Sequence, residues 1–229
     1  MKGLLITLVV LLALAVVADR VAVRVAEDRV AQQIAERGDL KGTPDVDITG
    51  FPFLTQAVAG TYEDVRISLN AAELGQPKGT SARVSLRGVH VALSDVLSGS
   101  VSSVPVDRIN GTATLSYALL AAQLGGDTTL RREGDRLRIT KTVDVLGYTL
   151  PLTAIGTVTL HGDQLVVDVE DASGAGVDVP SFLVDQANNL LDLRYTIPAL
   201  PFGLQLTSVQ PADGGVDVRV EARDAVLSG

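Results

Sequence analysis

The chain of 229 residues contains no cysteine and no tryptophan, and only four Phe, four Tyr and two His. Without cysteine there is no disulfide, no thiolate metal site and no cysteine nucleophile. A lipid anchor of the kind bacterial lipoproteins carry on a cysteine after their leader is excluded as well. His90 and His161 lie far apart in the chain and leave little material for a zinc centre or a general base. Aromatics make up 3% of residues while hydrophobics make up 46%. The interior must therefore be built on Val, Leu, Ile and Ala, which suits a smooth aliphatic core better than a polar reaction pocket. A charged fraction of 20% excludes both a disordered polyelectrolyte and a polytopic membrane protein.

Charge of one sign is scarce at one end. Residues 1–160 hold equal numbers of basic and acidic side chains, whereas residues 161–229 hold three arginines (Arg194, Arg219 and Arg223) against eleven acids. The whole net charge of −8 therefore sits in the last third. An acidic chain of this kind is a poor nucleic-acid binder, because neutralising phosphates needs a basic surface. Solubility is the simplest role for the excess.

The first twenty residues read MKGLLITLVVLLALAVVADR. One Lys precedes an apolar run from Leu4 to Ala18 that would reach roughly 22 Å as a helix, short of the ~30 Å hydrocarbon core. Residues 1–18 are expected to be a signal peptide, with small residues for cleavage before Asp19, or a signal anchor. Residues 19–37 lack Gly and Pro, and Val23, Ala26, Val30 and Ile34 form a stripe at helical spacing that runs on to Gly38. That continuation favours the anchor. In both cases the rest of the chain is expected to be exported.

After Thr43-Pro44 the period changes to two. Val65, Ile67 and Leu69 alternate with polar residues, as do Val84 and Leu86, and then Val89, Val91 and Leu93. The phase slips at Gly88, as at a β-bulge. RLRIT, YTLPLTAIGTVTL, QLVVDV, FGLQL and VDVRVEA continue the pattern, with Gly134-Asp135, Gly162-Asp163 and Asp213-Gly214 as hairpin turns. Two helices are predicted among the strands: one opening at the cap Ser116 and ending at Gly125-Gly126, and one over DVPSFLVDQANNLLDL with Leu183, Ala187, Leu190 and Leu191 on its apolar face. Residues 19–229 read as a single α+β domain, a long twisted antiparallel sheet wrapped against a few helices.

Catalytic motifs do not emerge. There is no G-x-S-x-G elbow, no Walker loop and no H-E-x-x-H. Asp45-Val46-Asp47-Ile48-Thr49-Gly50 imitates the first half of a calcium loop, but Gln56 stands where the bidentate Glu is required. Asn110-Gly111-Thr112 fits a glycosylation sequon and reads more simply as a turn. No catalytic residue, metal or cofactor is expected.

Apolar segments between the strands stand out instead. GFPFLTQ presents Phe51, Phe53 and Leu54, and IPALPFG presents Leu200 and Phe202; Phe182 and Leu183 open the last predicted helix. These side chains are either plugs at sheet ends or the lipid-facing mouth of a pocket. A basic run, Arg131, Arg132, Arg136 and Arg138 followed by Lys141, surrounds one hairpin. It is either a solvated strand face or a docking surface for anionic head groups.

The leader, the helix, GFPFLTQAVAGTYEDVRISL and the closing IPALPFGLQLTSVQPADGGVDVRVEARDAVL resemble the actinobacterial LmeA-like phospholipid-binding family. The resemblance implies an exported, envelope-associated, non-enzymatic protein on the outer side of the cytoplasmic membrane. Its implied ligands are phospholipids, phosphoinositides included, and its implied setting is envelope glycolipid or lipoglycan biosynthesis. The implied fold is half of a tubular, bactericidal/permeability-increasing-like (BPI-like) lipid-binding module, with the sheet curled around the long N-terminal helix. An envelope scaffold binding a protein partner and a glycolipid-processing enzyme are the competing readings.

Overall fold

The computed structural model describes residues 2–98, 100–125, 127–145, 148–174, 177–178, 194–197, 200 and 202–228. In chain order the elements are α1 (Lys2–Arg37), β1 (Asp45–Thr49), α2 (Phe53–Ala59), β2 (Thr61–Asn70), α3 (Ala71–Leu74), β3 (Ser81–His90), α4 (Leu93–Ser98) and β4 (Ser103–Ser116). They continue with α5 (Tyr117–Leu124), β5 (Thr128–Glu133), β6 (Arg136–Val145), β7 (Tyr148–His161), β8 (Gln164–Gly174), β9 (Val177–Asp178), β10 (Arg194–Thr196), β11 (Gln205–Pro211) and β12 (Gly215–Ser228). The architecture is α+β, as expected, with its strands distributed over two antiparallel sheets. One sheet has the order β1-β2-β3-β4-β12-β11; the other runs β10-β8-β7-β6-β5, with β9 beside β8. The helix expected over residues 178–193 falls almost wholly outside the described residues, and Phe182 and Leu183 lie with it.

The chain forms two compact units, residues 1–69, 83–110 and 222–229 in the first and residues 70–82 and 111–221 in the second. In the first, the leader and the following stripe are one continuous helix, because nothing between Lys2 and Arg37 breaks it. Val23 of the predicted stripe is buried on its inner side together with Ala31, which the stripe did not include; Ala26, Val30 and Ile34 are half-buried, and Leu4 to Val17 remain largely exposed. Two carboxylates share the inner side. Asp19 is 2% exposed and accepts the Leu54 N–H at 2.8 Å, and Glu27 accepts the Ile48 N–H at 2.9 Å. Ile48 belongs to β1, an edge strand whose outward amides need partners, so Glu27 closes part of that edge.

β1 and β2 pair antiparallel with Ile48 opposite Val65, and Val46, Ile48 and Val65 face the core. The acids Asp45 and Asp47 lie on the exposed face of an extended strand, a shape that cannot wrap around a calcium ion. The slip at Gly88 is real: Leu86 and Val89 are both buried, and Gly88 has φ +61°. A β-carbon there would meet the Asp107 carboxylate, so glycine is needed for space as well as for backbone. Asn110-Gly111, predicted to be a turn, lies mid-strand in β4. A two-residue turn signal is weak against a strand held on both sides by neighbours.

The second unit has its own core, with Leu120, Leu137, Ile139, Leu165 and Val216 fully buried. Alternation explains it. Leu137 and Ile139 of β6 point inward while Arg136, Arg138 and Thr140 point out. The three predicted hairpin turns all connect antiparallel pairs: β5 to β6, β7 to β8 and β11 to β12. Ser116 caps α5 as predicted, accepting the Leu119 N–H at 3.2 Å.

Candidate functional site

The segment GFPFLTQ is not a loop. Phe51 and Pro52, joined by a cis peptide bond, lead directly into α2, and Gly60 ends that helix in the left-handed region at φ +69°. Phe51 precedes the helix and Phe53 is its first residue. Phe53 is 5% exposed and packs against Tyr62 with centroids 6.0 Å apart; Phe51 is 63% exposed. Gln56, also buried, fixes the inner face, its Nε2 donating to the Thr49 carbonyl and its Oε1 accepting the Glu63 N–H. Leu54 and Val58 occupy the outer face and are exposed. The Arg20 guanidinium stands 5.1 Å from the centre of the Phe51 ring while also holding Asp19 at 2.6 Å.

In the second unit, Leu200 packs against the core beside Ile197, and Phe202 is 40% exposed with φ +59°. A bulky side chain in the left-handed region costs about 1–2 kcal/mol, and such positions concentrate at functional sites. Of the apolar candidates the structure thus brings Phe51, Phe53 and Leu54 into one segment of the first unit and Leu200 and Phe202 into one segment of the second. Val58 went unnoticed in the sequence, although it stands four residues after Leu54; a helical reading of the segment would have found it. Asp19 went unnoticed too.

The basic hairpin is β5–β6. Arg131 faces Arg138 in the register. Arg132 pairs with Asp213 at 3.0 Å, Arg136 with Glu170 at 3.3 Å and Asp171 at 3.7 Å, and Arg138 grips both oxygens of Glu133. Hydrogen bonding from Arg138 holds the Glu133 carboxyl below the usual glutamate range. The Thr157 hydroxyl and then Arg136 do the same for Glu170. A depressed carboxylate contributes stability above its unfolded pKa and loses it as pH falls through the folded one, so these pairs hold at neutral pH and part only in acid. An open groove of about 530 Å³ beside the hairpin is lined by Arg132, Asp135, Thr157, Val209 and Gln210. Val158, Pro211 and Ala212 complete the lining, which mixes charged, amide and apolar groups.

His90 lies in β3, half-exposed, with Nε2 at 3.0 Å from Asp107. Among the described residues no cluster of His, Asp and Glu is arranged to hold a metal ion.

The profile of the LmeA-like phospholipid-binding family matches residues 17–221. The chain belongs to the LmeA-like phospholipid-binding family. The match takes in all of the second unit, the first unit except residues 1–16 and 222–229, and every candidate segment, Asp19, α2, the β5–β6 hairpin and Phe202 included. Comparison with curated proteins and with solved structures returned no match. Family membership supports phospholipid binding as an activity of the chain.

Proposed function

We propose that this chain is an exported phospholipid-binding protein, held at the outer side of the cytoplasmic membrane by its N-terminal helix, with residues 19–229 as its lipid-binding domain. It carries or presents lipid to envelope glycolipid or lipoglycan biosynthesis and makes no covalent change in it. Anionic phospholipids, phosphoinositides among them, are the ligand class. The observation that carries this reading is the family match over residues 17–221. The aliphatic, ring-poor composition supports it, since acyl chains are recognised by area rather than by directional contacts. Two buried chains of ~16 carbons bring roughly 25 kcal/mol of gross transfer free energy at ~0.8 per CH₂. Leaving the bilayer costs nearly as much, so net affinity is modest and exchange is feasible, as a carrier requires.

Purified full-length protein is expected to retain phospholipid that mass spectrometry identifies, and to extract it from liposomes. Folded protein that retains none and extracts none overturns the reading. Phe51 and Leu54 in the first unit, with Phe53 supporting them from within, and separately Leu200 and Phe202 in the second unit, are the proposed lipid contacts.

The β5–β6 arginines are the proposed head-group contacts, exchanging a carboxylate partner for a phosphate. Replacing Arg131, Arg132, Arg136 and Arg138 by Gln is expected to weaken binding to phosphatidylglycerol vesicles and to flatten its salt dependence. Binding unchanged at low salt would mark the run as a solvated face.

A further inference from the structure

The outer face of α2 is apolar and uncovered. Leu54 and Val58, one turn apart, are 41% and 77% exposed, and Phe51 beside them is 63% exposed. Val96 of α4, which packs beside α2, adds another apolar side chain at 49% exposure. The helix FLTQAVA carries no charge anywhere. Single exposed apolar residues are ordinary, but three on two touching helices and a fourth on the lead-in to one of them call for a partner.

α1 indicates which partner. Its Leu4–Val17 stretch is exposed, and the helix as a whole is long and apolar enough by length and composition to cross a membrane. The stretch ends at Ala18, and the next residue, Asp19, turns inward and holds the Leu54 amide at 2.8 Å. α2 is thereby fixed at the level where the apolar stretch ends. The stretch is also short for the bilayer, roughly 22 Å against a ~30 Å core, and a short span draws its flanking residues into the boundary. Arg20 over the Phe51 ring suits that boundary, with an apolar body below and a charge at the water.

We infer that Phe51, Leu54, Val58 and Val96 form an interfacial foot that rests in the head-group region of the leaflet from which α1 emerges. The inference rests on α1 being a membrane anchor, as proposed above. Its consequence is orientation: the first unit is seated on the lipid surface rather than swinging on a tether.

The absence of tryptophan makes the test direct, because each variant carries a single reporter. Leu11→Trp, Leu54→Trp, Val58→Trp and Glu36→Trp are prepared in the full chain. Each is reconstituted into phosphatidylcholine vesicles brominated near the head-group end of the acyl chains, with deeper bromination for Leu11→Trp. Glu36 lies roughly 25 Å further along α1 than Asp19 and serves as the water-side control. The expected result is strong quenching for Leu11→Trp, Leu54→Trp and Val58→Trp, with a blue shift for the latter two, and none for Glu36→Trp. Quenching of Leu11→Trp with Leu54→Trp and Val58→Trp unquenched overturns the foot and leaves the anchor standing. An unquenched Leu11→Trp overturns the anchor and the foot together. Quenching of Glu36→Trp also overturns both, since α1 would then lie along the surface.

Discussion

Replacing Phe53 by alanine is expected to lower the melting temperature by roughly 6–20 °C, while replacing Phe51 by alanine leaves it almost unchanged. The two rings stand two residues apart and look equivalent in FPF, but only Phe53 lies in α2, on its buried face, while Phe51 precedes the helix and stays exposed. Phe53 is 5% exposed against Tyr62, on the same inner face as the buried Gln56 and Ala57. Gln56 is tied to both Thr49 and Glu63, so the wall around the ring cannot collapse to fill a void. Truncating a buried Phe in a wall that cannot relax costs about 3–5 kcal/mol, a large share of the roughly 5–15 kcal/mol that holds a domain together. Phe51 gives up little buried area, and surface truncations usually stay within about 0.5 kcal/mol. Its loss is expected in vesicle binding instead. Thermal unfolding followed by circular dichroism, with liposome flotation of the same variants, separates the roles. Equal melting temperatures for the two variants would show that Phe53 is no core ring.

Much of the fold was legible because its elements are long or strictly periodic. The thirty-six residues of α1 contain no breaker, and the alternation in β6, β7, β8 and β12 repeats often enough to fix which face is buried. The slip at Gly88, the three hairpin turns and the Ser116 cap each rest on a single residue type with one strong backbone preference. What escaped is short. α2 has seven residues and α4 six, too few to display a period, and Phe51-Pro52 reads as a break in the chain. The candidate site was legible as a segment but not as a surface. Its position between strands drew attention to GFPFLTQ, but only the helical turn decides that Phe53 faces in and that Leu54 and Val58 face out. The basic hairpin stood out for a similar reason, since three of its acidic partners, Asp213, Glu170 and Asp171, are remote in sequence and meet the arginines only in the folded sheet.

Asp19→Ala is expected to raise hydrogen exchange of the Leu54 amide roughly ten- to hundredfold, the range for losing a hydrogen bond to a charged group. A carboxylate that is 2% exposed persists only if its oxygens are used, and here each has a partner: the Leu54 N–H on Oδ1 and the Arg20 guanidinium on Oδ2. The amide belongs to the first turn of α2, where no helical carbonyl is available to accept it and Pro52 offers no side-chain cap. Alanine leaves that part-buried amide without its carboxylate, and it releases Arg20 from the position that sets it over Phe51. Asp19→Asn separates geometry from charge. Asparagine keeps an acceptor at the same place, so protection of residues 53–57 should largely return while the Arg20 contact is lost. Exchange read by mass spectrometry on a peptide covering residues 50–60 checks both variants. If Asp19→Ala leaves that peptide as protected as the parent, α2 is held by its inner face alone, and the link from the end of the apolar run to the exposed face of α2 does not bear on how the first unit meets the membrane.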